Sequence, residues 1–142
     1  MMRVLTINGA NLGMLGKRPK EHYGAMTLLE INELMLKEAR EELSIDFIQS
    51  NHEGVIVDSI NDAVDKYDAI IINPGAYTHT SIAIRDALEI FKGIKLEVHL
   101  SDINNRDEFR KINYIKDLCD ASFIGRGYLS YIDAIKYLKE HK

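Results

Sequence analysis

An α/β fold built on one open parallel sheet, with helices on both faces, is what this sequence predicts from three observations. Apolar runs of strand length recur five times along the chain, and segments of helical period separate them. The run Ile70-Ile71-Ile72 is apolar on both faces, as a strand buried on both sides of a sheet must be. A length of 142 residues with 46% hydrophobic and 28% charged residues suits one domain, spanning 1–142, with a single core.

Arg3 to Asn8 reads as the first strand, opening into the polar segment Asn8-Gly9-Ala10-Asn11. From Gly13 to Met26 the chain is glycine-punctuated and basic, and long for a connection in a compact domain, which marks it as a functional loop. Thr27 with Glu30 forms a capping box for a helix to about Leu43, with Leu28, Ile31, Met35 and Ala39 on its inner face and Leu34 alongside. Ile45 to Ser50 is the second strand, entering Asn51-His52-Glu53-Gly54. Ile56, Ile60, Ala63, Val64 and Tyr67 then mark a second helix. The third strand, Ala69 to Ile72, stops at Asn73, where Pro74-Gly75 turns the chain and Ser81 caps a helix over Ile82 to Phe91. Lys92-Gly93 reads as that helix's C-cap. The fourth strand, Leu96 to Leu100, holds Glu97 and His99 inside an apolar frame. Ser101 to Tyr114 is polar and irregular, with a helical turn around Asp107 to Arg110. A fifth strand, Ala121 to Ile124, and a last helix, Tyr128 to Glu140, burying Leu129, Ile132, Ile135 and Leu138, complete the chain.

The economical arrangement is a flavodoxin-like sheet of order 2-1-3-4-5, whose ligand crevice lies outside the carboxyl ends of strands 1 and 3. Polar clusters follow strand 1 (Asn8, Asn11), strand 3 (Asn73, His79) and strand 4 (His99, Ser101). Those strands are neighbours in that order, so the clusters converge on one crevice, which favours a binding site over a scatter of polar loops.

A net charge of −4, with no long Lys/Arg block, speaks against nucleic acid and polybasic membrane contact. No apolar run is long enough to span a bilayer. The N-terminus reads straight into a strand without a signal-peptide core, and the single cysteine, Cys119, excludes an intrachain disulfide; both predict a cytoplasmic protein. Gly9 to Gly16 carries neither dinucleotide nor phosphate-loop glycine spacing, leaving a nucleotide- or flavin-binding module as the alternative that rests on fold alone. His79, His99, Asp86 and Glu97 lack local metal-ligand spacing, and Cys119 reads as a buried structural thiol. No metal or cofactor is predicted.

Acid–base chemistry remains. Tyr23 ends a loop bearing Lys17, Arg18 and Lys20; a guanidinium beside a phenol favours the phenolate and also faces an oxyanion well. Taken alone, Tyr23 reads as an ordinary packed aromatic. His99 shares a strand face with Glu97, which can orient it, or it is a satisfied core histidine. Arg110 is a surface charge or a clamp for hydroxyl or carboxylate oxygens.

Several blocks together resemble the type II 3-dehydroquinate dehydratases: Asn8-Gly9-Ala10-Asn11-Leu12 with Leu15-Gly16 and Tyr23-Gly24, Gln49 to Gly54, Ile72 to Ser81 with Ile84 to Ala87, Glu97 to Ser101, and Arg106 to Arg110. They occur in the family's order, from Arg3 to the last helix. The resemblance implies a flavodoxin-like subunit that eliminates water from 3-dehydroquinate without a cofactor, through an enolate, in the shikimate pathway. By that resemblance Tyr23 is the base and Arg18, on a mobile lid of about 16–26, promotes the tyrosinate. Asn11 helps hold the water and dipoles facing the enolate. His99 is the general acid, with Asn73 beside it. Leu100 and Ser101 take the substrate carboxylate, His79 and Arg110 take ring hydroxyls, and Asp86 reaches a neighbouring subunit in a trimer, four trimers forming a dodecamer. Ala10, where proline is usual, Gly13, where asparagine is common, and Pro19 directly after Arg18 depart from the family pattern.

Overall fold

Five parallel strands build one sheet in the computed structural model, which describes residues 1–17 and 25–142. They are Met2–Asn8 (β1), Leu43–Gln49 (β2), Ala69–Asn73 (β3), Ile94–His99 (β4) and Ala121–Ile124 (β5), in the predicted order β2-β1-β3-β4-β5. The main helices are Leu28–Ala39 (α1), Glu53–Ala63 (α2), Ile82–Ile90 (α3) and Leu129–His141 (α4).

The pleat sends alternate residues to two cores. Val4, Ile71, Leu96 and Val98 face Ile31, Met35 and Ala39 of α1 and Tyr131, Ile135 and Leu138 of α4. Leu5, Ile7, Ile70 and Ile72 face Ile56, Ile60 and Ala63 of α2 and Ile84, Ala87 and Leu88 of α3. The triple isoleucine is therefore apolar because it divides between two buried layers, and each fully buried side chain contributes about 1.5–3 kcal/mol of hydrophobic stabilisation.

Local signals set most boundaries. Thr27 Oγ1 accepts the Glu30 N–H while Glu30 Oε1 accepts the Thr27 N–H, closing the capping box. Ser81 Oγ caps α3 by accepting the Ile84 N–H at 2.9 Å. Three expectations are corrected. Helix α1 ends at Ala39, because Arg40 turns to φ +53° and Leu43 pairs with Met2 as the first residue of β2. Gly93 is not a left-handed cap: α3 ends at Ile90, and a Cβ at Gly93 would lie 2.4 Å from the Asp68 carbonyl oxygen. On α4, Ser130 and Tyr131 are the fully buried residues of the first turn, and Leu129 is only half-buried.

The register brings the polar strand ends together. Asn8 lies beside Asn73, and Ile72 beside Glu97. Helices α2 and α3 cover one face and α1 and α4 the other, so the connections after β1 and β3 diverge and leave a crevice at the carboxyl edge.

Candidate active site

The crevice is a cleft of about 540 Å³, counted to its open mouth, lined by the connections that follow β1, β3 and β4. Gly9 and Gly75 let two of these connections touch. A Cβ at Gly9 would lie 2.2 Å from the Pro74 carbonyl oxygen, and the Gly9 N–H donates to the Asn73 carbonyl at 2.8 Å. Gly75, at φ +64°, packs against the Ala10 backbone. Asn11 sits at φ +67°, a left-handed geometry that asparagine tolerates, at the rim of the cleft.

Asn73 is fixed from both ends of its amide. Its Oδ1 accepts the Gly75 N–H at 3.1 Å and its Nδ2 donates to the Tyr131 hydroxyl at 3.0 Å. Tyr131 in turn donates to Asn8 Oδ1. Burial, the larger influence, pushes the Tyr131 phenol upward against the Asn73 bond, so the hydroxyl stays protonated and able to donate. Residues Gly75–His79 form a short 3-10 turn that delivers His79, whose Nδ1 donates to the Ile112 carbonyl at 2.6 Å. Burial holds His79 below the ordinary histidine value. The Ile112 bond opposes that shift, and His99, Arg110 and Arg106 add to it. A neutral imidazole at His79 follows, with Nε2 as the acceptor that the Ile112 bond leaves open.

At the end of β4, His99 Nε2 meets Glu97 Oε2 at 2.6 Å. Glu97 is fully buried, and it also accepts Asn113 Nδ2 at 2.5 Å and Ser122 Oγ at 2.6 Å. Burial pushes this carboxyl upward, but the bonds from His99, Ser122 and Asn113 outweigh it and hold Glu97 below its ordinary value. An ionised carboxylate thus fixes the ring through Nε2 and leaves Nδ1 as the nitrogen for a ligand. Leu100, Ser101, Ile103, Arg106 and Arg110 complete the lining. Arg110 Nε is buried and finds no hydrogen-bond acceptor among the described residues; Asp107 Oδ2 lies 3.8 Å away. Cys119, half-buried away from the cleft lining, has its thiol pushed up to about 12 by burial, which fits a structural thiol. Among the described residues no three His, Cys, Asp or Glu side chains gather as a metal-ligand set.

Chemically, the cleft joins a buried imidazole–carboxylate pair, a neutral imidazole, a half-buried guanidinium and amide and hydroxyl donors. It suits a small, anionic, hydroxylated molecule and proton transfer at one end. Comparison with known proteins agrees. The family model for dehydroquinase class II matches residues 2–139. A 3-dehydroquinate dehydratase of Francisella tularensis subsp. novicida is 49% identical over 142 residues, covering 96% of this chain and 97% of its own. One from Thermotoga petrophila is 44% identical over 140 residues, covering 98% and 96%. The crystal structure of a type II dehydroquinase from Butyrivibrio crossotus superposes with a TM-score of 0.92 at 42% identity, covering 96% of this chain and 97% of that one. The corresponding structure from Propionibacterium acnes gives 0.94 at 32% identity, covering 99% and 97%.

The chain belongs to the class II dehydroquinase family. Of the ten residues singled out in the sequence, Asn11, Asn73, His79, His99, Leu100, Ser101 and Arg110 line the one cleft. Asp86 stands exposed on α3, outside this lining. Arg18 and Tyr23 lie outside the described residues, as do Pro19 and most of the expected lid. Three supporting residues were missed: Tyr131, Asn113 and Ser122. Tyr131 had a signal, since it shares a helical face with Ile135 and Leu138.

Proposed function

We propose that this chain is a 3-dehydroquinate dehydratase, a hydro-lyase of the shikimate pathway leading to aromatic amino acids, in which the cleft described above holds the substrate. The Glu97–His99 pair at the carboxyl edge of the sheet carries the reading, because dehydration needs a proton delivered to a departing hydroxyl. The Tyr23 phenolate, favoured by Arg18, takes a proton from the carbon beside the ketone, and the C–H electron pair moves to form an enolate. The enolate re-forms the ketone as the carbon–oxygen bond breaks. The departing hydroxyl takes a proton from His99 and leaves as water, giving the conjugated enone 3-dehydroshikimate. Tyr23 then loses its proton and His99 regains one.

Asn11 helps hold the water and dipoles that face the enolate oxygen, and Asn73 orients beside His99. Leu100 and Ser101 bind the substrate carboxylate, and His79 and Arg110 bind ring hydroxyls; the open acceptor on His79 and the Arg110 Nε without a hydrogen-bond acceptor among the described residues support these roles. The whole chain, 1–142, acts as one catalytic domain whose segment of about 16–26 closes as a lid over bound substrate.

The assembly is a trimer in which Asp86 reaches the neighbouring site, four trimers forming a dodecamer, in the cytoplasm. Exposure of Asp86, together with Ile82 and Ile90 on the same helix, supports an interface there. Among the described residues no helix is long and apolar enough to cross a membrane. The reaction is tested by following enone absorbance after dehydroquinate is added to purified protein, with and without borohydride. Turnover insensitive to borohydride is expected. No absorbance change would sink the activity, and substrate trapped on a lysine would replace the enolate route with an imine.

A further inference from the structure

Gln49-Ser50-Asn51 follows β2, the edge strand separated from the cleft by β1, and none of the three lines the cleft. Their polar groups nevertheless hold the loops that do. Asn51 Oδ1 accepts the Asn11 N–H at 2.9 Å and Gln49 Nε2 at 3.2 Å. Gln49 Nε2 also donates to the Gly9 carbonyl at 3.1 Å. The Asn51 carbonyl accepts the Tyr77 hydroxyl at 2.7 Å, in the 3-10 turn that ends at His79. One residue therefore ties down two walls of the cleft, the β1 connection through its side chain and the β3 connection through its backbone.

Asn11 needs such a tether. Its left-handed φ of +67° is reached by few L residues, and its side chain makes no capping bond to the turn that follows. The amide side chain is thus left for the cleft, while the backbone is held from outside through the N–H. Gln49 closes the remaining space: its Oε1 would lie 2.9 Å from a Cβ at Gly13, so the small residue there and the long amide opposite fit each other.

We propose that Asn51, supported by Gln49, is a positioning residue for the dehydration. It sets the backbone of Asn11 and, through Tyr77, steadies the turn that carries His79. The inference rests on the reading of Asn11 as a residue facing the enolate. A mere loop staple would lower stability without acting through Asn11, so the test must separate the two.

The test uses the full chain with Asn51→Ala, Asn51→Asp, Asn11→Ala and the Asn51→Ala/Asn11→Ala double variant, reading hydrogen exchange at the Asn11 amide and kcat/KM for dehydroquinate well below the thermal midpoint. Asn51→Ala is expected to speed exchange at Asn11 and lower kcat/KM by about 10-fold, the scale of a small displacement of a reacting group. Asn51→Asp, which keeps an acceptor oxygen, is expected to restore protection at that amide. In the Asn11→Ala background, Asn51→Ala should change kcat/KM by less than about twofold, because the residue it positions is gone. Unchanged exchange at Asn11 in Asn51→Ala, or an equal kinetic loss in both backgrounds, overturns the tether. Full activity in Asn11→Ala strikes instead at the role given to Asn11 in the reaction.

Discussion

Tyr131 donates its hydroxyl to Asn8 Oδ1 at 2.5 Å, joining residues 123 positions apart behind the wall that Asn73 gives the cleft. Both partners are fully buried, so neither can turn to water if the bond is lost. Tyr131→Phe keeps the ring and strands Asn8 Oδ1 and Asn73 Nδ2 together. It should destabilise the fold by about 1–3 kcal/mol, the penalty for buried polar groups left unmet. A thermal midpoint equal to wild type at the same protein concentration would refute this.

Glu97→Gln separates the carboxylate's charge from its shape. The amide keeps the volume but places a donor among Asn113, Ser122 and His99, all of which point donors at this site. A fall in kcat of about 10–100-fold with little change in KM is expected, a partial loss of general-acid catalysis. Loss confined to KM would place Glu97 in substrate binding instead.

His79 gives the stability curve a mildly acidic slope. Its folded-state value lies below the ordinary 6.5, chiefly through burial, so the unfolded chain binds its proton more readily. The contribution is full above about 6.5, the unfolded value, and is lost as pH falls through the lower folded value. The thermal midpoint of wild type should therefore fall more steeply between pH 7 and 5 than that of His79→Gln. Parallel curves would show that His79 does not contribute.

Gly9→Ala tests the close approach that shapes the cleft. The new Cβ would lie 2.2 Å from the Pro74 carbonyl oxygen, a backbone atom with no rotamer to yield. Separation of the two connections should cost about 1–3 kcal/mol of stability and reduce kcat/KM, since Gly75 and Asn73 sit on the displaced segment. Wild-type stability and turnover in this variant would contradict the packing.

The fold is readable from periodicity because short strands with apolar inward positions alternate with helical segments, and β1, β3 and β4 run into polar turn residues. The failures were local. Leu43 reads as helical in the sequence because an apolar residue at that spacing satisfies either period, and only pairing with Met2 decides for the strand. The cleft was readable because the polar residues gather at the carboxyl ends of adjacent strands, and the Glu97–His99 spacing places both on one strand face. Its support was not. Asn113 reaches Glu97 from an irregular segment, and Asn51 reaches Asn11 across β1, contacts that no periodicity encodes.

The role proposed for His99, held by Glu97, is delivery of the proton to the departing hydroxyl. It is tested most directly by the rate of enone formation from 3-dehydroquinate in His99→Ala, with circular dichroism and thermal midpoint measured on the same preparation. A folded protein whose kcat falls by about 10²–10⁴-fold, the range for loss of a general acid, is expected. A folded His99→Ala protein that turns over at the wild-type rate would contradict it.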